Sequence, residues 1–70
     1  MKSADAMAPH IDAFTHLRAA NYRDRARELR RVAATMSTSD GRKMLLELAF
    51  DYERMADALV LNALQKGPSN

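Results

Sequence analysis

Apolar residues recur along the first half of the chain in alternating steps of four and three. The series runs through Ile11, Thr15, Ala19, Tyr22, Ala26, Leu29, Ala33 and Met36, with Phe14 at its edge. Because an α-helix completes a turn every 3.6 residues, this spacing places all of these side chains on one stripe of a single helix. The pattern therefore predicts a first helix over about residues 10–36.

A second stripe with the same spacing follows in the other half of the chain. Its members are Leu45, Ala49, Tyr52, Ala56, Leu59 and Ala63. Lys66, Gly67 and Pro68 come directly after it, and this order is typical of a helix end. The lysine meets the negative end of the helix dipole, the glycine adopts a left-handed conformation and the proline cannot continue the helix. The pattern predicts a second helix over about residues 39–66.

Short polar residues separate the two stripes at positions 37–41. Serine and threonine side chains bond to nearby backbone groups, so Ser37 or Thr38 is the predicted N-cap of the second helix. Asp40 then lies in the first turn, where Gly41 is a mild weakness. A link this short makes the helices antiparallel. The sequence predicts an all-α two-helix hairpin over residues 10–66, with a flexible leader at 1–9 and a disordered tail at 67–70.

Composition supports this fold and excludes several classes of protein. Thirteen of the 70 residues are alanine, whereas the β-branched and aromatic residues that strands favour are few. Without cysteine, the chain is neither a disulfide scaffold nor a thiol enzyme. No uncharged stretch reaches 18 residues and residues 1–10 lack a signal-peptide core, so we expect a cytoplasmic protein with no membrane partner.

The predicted second helix carries more apolar surface than one helix–helix seam can cover. A lone hairpin whose seam is rich in alanine is also only marginally stable. We therefore expect a homo-oligomer, with a dimer that forms a four-helix bundle as the favoured state and a tetramer as an open alternative. The apolar residues beside the stripe are Leu48 and Met55 on one flank, Leu46, Val60 and Leu64 on the other, and Phe50 and Leu61 further round.

The expected oligomer interface comprises Leu46, Phe50, Glu53, Val60 and Leu64. Glu53 is the one charged member, and Asp57 also lies inside or beside the same arc, where a buried carboxylate without a partner is costly. If this arc is an interface, an arginine of the first helix should meet Glu53; the candidates are Arg23, Arg27 and Arg30. The alternatives are that Glu53 lies at a wet rim, or that a monomer uses this face for an unidentified protein partner.

Positive charge concentrates in the first helix. Residues 17–36 hold six arginines and two acids, a local net charge of +4 in a chain whose total is +2. Four of the arginines form a ridge beside the seam: Arg23, Arg27, Arg30 and Arg31. Such a ridge would attract a phosphate backbone. Since no helix-turn-helix signature is present, a salt-bridged structural face is the main expectation and nucleic-acid binding the alternative.

Residues with catalytic or metal-binding chemistry are sparse. His10, Asp12 and His16 are a cluster of metal-ligand types, but weak ligands near a helix start lack preset geometry, so we expect no metal and no cofactor. Two thin helices also leave little volume for a pocket. The expected function is a non-catalytic structural or protein-interaction module. Membrane-surface binding by the first helix is disfavoured, because its stripe is mostly alanine and tyrosine.

Two segments together resemble a group of short, uncharacterised proteobacterial helical-hairpin proteins. Residues 22–30 match the pattern Tyr-Arg-x-Arg-Ala-x-Glu-Leu-Arg, and residues 45–56 match Leu-Leu-x-Leu-Ala-x-Asp-Tyr-Glu-x-Leu-Ala except at Met55. The relatives usually have Asp-Pro in the turn, where this chain has Thr38 and Ser39. The resemblance implies a helical hairpin in a bacterial cytoplasm, and it implies no reaction, ligand or partner.

Overall fold

The computed structural model describes residues 11–66, and two helices make up nearly all of them. Helix α1 spans Ala13–Ala34 and helix α2 spans Ser39–Lys66, with no strand in this part of the chain. The two helices pack against each other, so the predicted all-helical hairpin is confirmed. The leader predicted at 1–9 and the tail predicted at 67–70 lie outside the described residues.

Helix α1 begins three residues later than the spacing predicts, because Asp12 is its N-cap. Asp12 has an extended backbone (φ −69°, ψ 164°), and its carboxylate accepts a hydrogen bond of 2.8 Å from the backbone N–H of Thr15. An aspartate in this position satisfies a backbone donor that has no partner inside the helix. The apolar pattern continues to Ile11 before the helix has formed, which is why periodicity alone misplaces the start.

Threonines organise both sides of the turn between the helices. At the end of α1, the backbone N–H of Thr35 donates to the carbonyl of Val32, and its hydroxyl donates to the same carbonyl at 2.8 Å. At the start of α2, the hydroxyl of Thr38 accepts a hydrogen bond of 3.1 Å from the backbone N–H of Gly41. Of the two N-cap candidates, Thr38 is therefore the cap of α2, and Asp40 lies in the first turn as expected.

Gly41 has a packing role that its helix propensity does not suggest. A Cβ atom added at Gly41 would lie 2.6 Å from the terminal methyl of Met36 and 2.9 Å from the hydroxyl of Thr38. Both distances are shorter than van der Waals contact. Because glycine has no Cβ atom, the side chain of Met36 can pack against the start of α2 beside the capping hydroxyl. Glycine at this position combines a weak helix propensity with the space that the turn requires.

Loss of the Thr38 hydroxyl should weaken the hairpin measurably. Thr38→Ala removes the acceptor for the Gly41 N–H and should lower the free energy of unfolding by about 1 kcal/mol. The matched control is Ser37→Ala, one residue earlier in the same turn, which should change it by less than about 0.5 kcal/mol. Urea unfolding followed by circular dichroism measures the free energy of unfolding of both variants. Equal effects of the two substitutions would show that Thr38 does not cap α2.

Alanine alone forms the fully buried part of the contact between α1 and α2. The residues concerned, here called the alanine seam, are Ala19, Ala26, Ala33, Ala49 and Ala56, each 0–1% exposed. Tyr22 and Tyr52 lie beside it with ring centroids 5.9 Å apart. The apolar stripes that the spacing predicts are buried or half-buried throughout. Since alanine ends at Cβ, the seam holds the two helices with little side-chain area.

Candidate interaction surface

A second apolar stripe runs along α2, displaced by one residue from the stripe that faces α1. We call it the outer stripe, and its members are Leu46, Phe50, Glu53, Asp57, Val60 and Leu64. Their spacing again alternates between four and three, so they lie in one row on the helix. Leu46 and Leu64 are each 43% exposed and Phe50 is 58% exposed, whereas Glu53 and Val60 are half-buried. Large apolar side chains at both ends of this row are left open.

The two acids at the centre of the outer stripe pair with arginines of α1. The guanidinium of Arg30 forms an ion pair with Glu53, and Arg23 donates a hydrogen bond of 3.3 Å to the carboxylate of Asp57. Both pairs cross from one helix to the other. The expectation that an arginine meets Glu53 is fulfilled within the chain, by Arg30 among the three candidates.

Neutralisation of charge is the main consequence of these interhelix ion pairs. All four side chains are between 38% and 71% exposed, and ion pairs that water still reaches contribute about 0–1 kcal/mol to stability. Water and counterions can leave a neutral pair at lower cost than a single charge. Desolvating the centre of the outer stripe against another surface therefore costs less than desolvating two unpaired acids would.

The opposite flank of α2 is also apolar, but its charges are not matched. Leu48 and Met55 are 44% and 41% exposed there. Asp51 lies in the same row as Leu48 and Met55, and Arg18 and Arg25 are on the corresponding flank of α1. The ion pairs formed within residues 11–66 include none of these three charged side chains. A partner on this flank would have to desolvate single charges. In the outer stripe itself both acids are paired, whereas Lys43 and Glu47, which line the groove beside Leu46 and Phe50, take part in none of these ion pairs.

Each arginine of the predicted ridge lies beside an acid. Arg23 and Arg30 pair with α2, as described above. Arg27 pairs with Asp24, and Arg31 lies 3.2 Å from Glu28, both within α1 and three residues apart. The structure thus places the ridge in a salt-bridged arrangement, which reduces the positive potential that a phosphate backbone would meet.

Phe50 has a neighbour that the spacing of apolar residues does not reveal. The guanidinium of Arg54 lies 5.8 Å from the centre of the Phe50 ring. A cation over the face of an aromatic ring is attracted to it and covers part of the ring. Arg18 covers Phe14 in the same way at 5.8 Å. Arg54 therefore covers part of the exposed ring of Phe50 in the outer stripe.

Open grooves lie along single helix faces of the described surface. One of about 600 Å³ follows α2 past Ser39, Leu46 and Phe50. Within residues 11–66, no group of three or more histidines, cysteines or acids could hold a metal ion. Of the weak metal-ligand cluster, Asp12 caps α1 and His10 lies outside the described residues.

One member of the outer stripe, Asp57, is not among the residues of the expected interface. It lies three residues before Val60 and four after Glu53, and the sequence already places it inside or beside the same arc as Glu53. The alternating spacing was the signal that would have included it. Its arginine partner, Arg23, was expected to be a candidate for Glu53.

Comparison with known proteins gives no relative for this chain. No protein-family model, no curated protein and no solved structure matches it. Neither described helix is long and apolar enough to cross a bilayer.

Proposed function

We propose that the protein is a non-catalytic structural or protein-interaction module that acts as a homodimer, in which two hairpins form a four-helix bundle through the outer stripes of α2. The bacterial cytoplasm is the proposed setting, in line with the resemblance of residues 22–30 and 45–56 to short proteobacterial hairpin proteins. A second copy is the proposed partner, and no cofactor is required.

The single observation that carries this proposal is the imbalance between the two stripes of α2. The contact between α1 and α2 uses the first stripe, and the side chains that it buries fully within the described residues are all alanine. The outer stripe holds larger side chains and leaves them open, with Phe50 58% exposed. An ordered hairpin of this size loses about 1.5 kcal/mol of conformational free energy per residue, which so small a buried area does not offset alone. Association through the outer stripe supplies the missing apolar contact.

Nucleic-acid binding through Arg23, Arg27, Arg30 and Arg31 is the second candidate function. The observation that favours it is the local charge of +4 between residues 17 and 36. Their pairing with four acids works against it, since a phosphate would have to displace a carboxylate at each arginine. The homodimer is therefore the better supported proposal.

Sedimentation velocity separates the two functions. The protein is run alone at micromolar concentration and then with a fluorescent random duplex, at low and at physiological salt. The proposal predicts twice the chain mass of 7.9 kDa and a duplex that sediments freely. A monomer at every concentration would contradict the homodimer, whereas a duplex that co-sediments at low salt and is released by added salt would support the arginine ridge.

A further inference from the structure

The outer stripe is symmetric in sequence about residue 55. Leu46 and Leu64 lie nine residues to either side of this point, Phe50 and Val60 five, and Glu53 and Asp57 two. Each residue type therefore has a counterpart of the same character at the mirrored position. A helix with this property can meet a second copy of itself in the antiparallel direction with apolar residues against apolar residues and the acids together at the centre.

We propose that two copies of α2 pack antiparallel around a twofold axis at the level of residue 55, with Leu46 against the partner's Leu64 and Phe50 against the partner's Val60. Glu53 and Asp57 then meet the partner's Asp57 and the partner's Glu53. This inference rests on the proposed homodimer and adds to it the direction, the register and the residues that fix them.

The ion pairs between α1 and α2 suit this arrangement. At the twofold axis, the four carboxylates of both copies come together with the four guanidiniums that already pair with them, Arg23 and Arg30 of each chain. The cluster as a whole is neutral. A carboxylate pair that lacked these arginines would repel the same pair of the second copy, so the interhelix ion pairs are a condition for association.

The cluster also selects one register. A slip of one heptad in one direction would place the acids Glu53 and Asp57 opposite the partner's Leu64 and the partner's Val60. A slip in the other direction would place them opposite the partner's Phe50 and the partner's Leu46. Either slip sets every acid against an apolar side chain, whereas the symmetric register keeps the acids and arginines together. A polar layer within an apolar seam fixes the register of coiled coils in this way.

Side-chain size and helix dipoles favour the antiparallel direction over the parallel one. In the antiparallel arrangement the large ring of Phe50 meets the smaller Val60 of the partner subunit. A parallel pair would set phenylalanine against phenylalanine and valine against valine, which packs less evenly. Antiparallel neighbours also place opposite ends of the helix dipoles together, as in an up-and-down four-helix bundle.

Cysteine cross-linking tests the direction and register, because the chain has no cysteine of its own. Leu46→Cys and Leu64→Cys are made as separate variants, and both sites are exposed enough to preserve the hairpin. Each variant is oxidised alone, and then the two are mixed in denaturant, refolded together and oxidised. A short bis-maleimide linker repeats the assay without the geometric demands of a disulfide.

The expected result is a covalent dimer in the mixture and none from either variant alone. Cross-linking of Leu46→Cys with itself would overturn the proposal in favour of a parallel pair. A mixture that sediments as a dimer but does not cross-link would overturn the register while leaving the homodimer intact. If the uncross-linked protein sediments as a monomer, both the homodimer and the register fail.

A second experiment tests the arginines of the cluster. Arg23→Gln with Arg30→Gln leaves Glu53 and Asp57 without partners and should raise the dissociation constant of the dimer at least tenfold. The matched control is Arg18→Gln with Arg25→Gln, which removes the same charge at the same seven-residue spacing from the opposite flank of α1. The control should stay within about threefold of the wild type.

Sedimentation equilibrium measures the dissociation constants of both double variants, with circular dichroism to verify that each remains helical. Equal weakening by the two pairs would overturn the central role of Arg23 and Arg30. A tighter dimer in the Arg23 and Arg30 variant would overturn it as well, because unpaired acids would then meet at the twofold axis without cost.

Discussion

Ala56→Leu should lower the free energy of unfolding by about 1–3 kcal/mol, the largest loss of stability expected from a single apolar substitution in this chain. Ala56 is 0% exposed and lies in the alanine seam, as does Ala49 one heptad earlier. A leucine side chain has no space between two helices whose buried contacts end at Cβ. The helices would have to separate, and the rings of Tyr22 and Tyr52 would lose their contact of 5.9 Å.

Ala58→Leu is the matched control for this substitution. Ala58 lies two residues further along the same helix and is exposed, so leucine there costs little helix propensity and causes no overpacking. Urea unfolding at a fixed protein concentration, followed by circular dichroism, compares the two variants with the wild type. If Ala56→Leu proves as stable as Ala58→Leu, the seam is not closely packed and the alanines have no steric role.

Leu46→Gln combined with Leu64→Gln should raise the dissociation constant of the homodimer by several hundredfold. Each dimer would lose four leucines from its interface. Each of them still has 43% of its surface to bury, worth about 1 kcal/mol. Losses of this size together correspond to two to three orders of magnitude in affinity. The effect on the isolated hairpin should be small, because neither residue belongs to the alanine seam.

The opposite flank of α2 provides the control for this prediction. Leu48→Gln combined with Met55→Gln removes two apolar side chains of nearly the same exposure, 44% and 41%. Sedimentation equilibrium should find its dissociation constant within about threefold of the wild-type value. If the control substitutions dissociate the dimer and those at Leu46 and Leu64 do not, the interface is formed by the flank with Leu48 and Met55, and the proposed interface is wrong.

The alanine seam could be predicted from the sequence because its signal is local. The steps of four and three through Ala19, Ala26 and Ala33 depend only on helix geometry, and the structure buries all three. The start of α1 could not be obtained from this signal. Apolar spacing continues to Ile11, whereas the helix begins where the carboxylate of Asp12 caps it. Capping depends on one hydrogen bond and leaves no trace in the periodicity.

The ion pairs of the candidate surface could be predicted from the sequence only in part. The sequence indicates that an arginine should meet Glu53 and leaves Arg23, Arg27 and Arg30 as candidates. Which arginine reaches which acid depends on the offset between the helices and on long, flexible side chains. Arg30 pairs with Glu53 and Arg23 with Asp57, a division that becomes visible only when α1 and α2 are placed together. The symmetry of the outer stripe, by contrast, is present in the sequence itself.

Contacts between subunits at the outer stripe test the proposed homodimer directly. Carbon-13-labelled and unlabelled chains are mixed in denaturant and refolded, and filtered nuclear Overhauser spectra then report only protons that are close across the interface. Within one chain, Phe50 and Val60 are about 15 Å apart along α2, too far for such a signal. In the proposed antiparallel dimer, cross-peaks are expected between the ring of Phe50 and the methyl groups of Val60. Intermolecular cross-peaks from Leu48 and Met55 instead, or none at all, would contradict it.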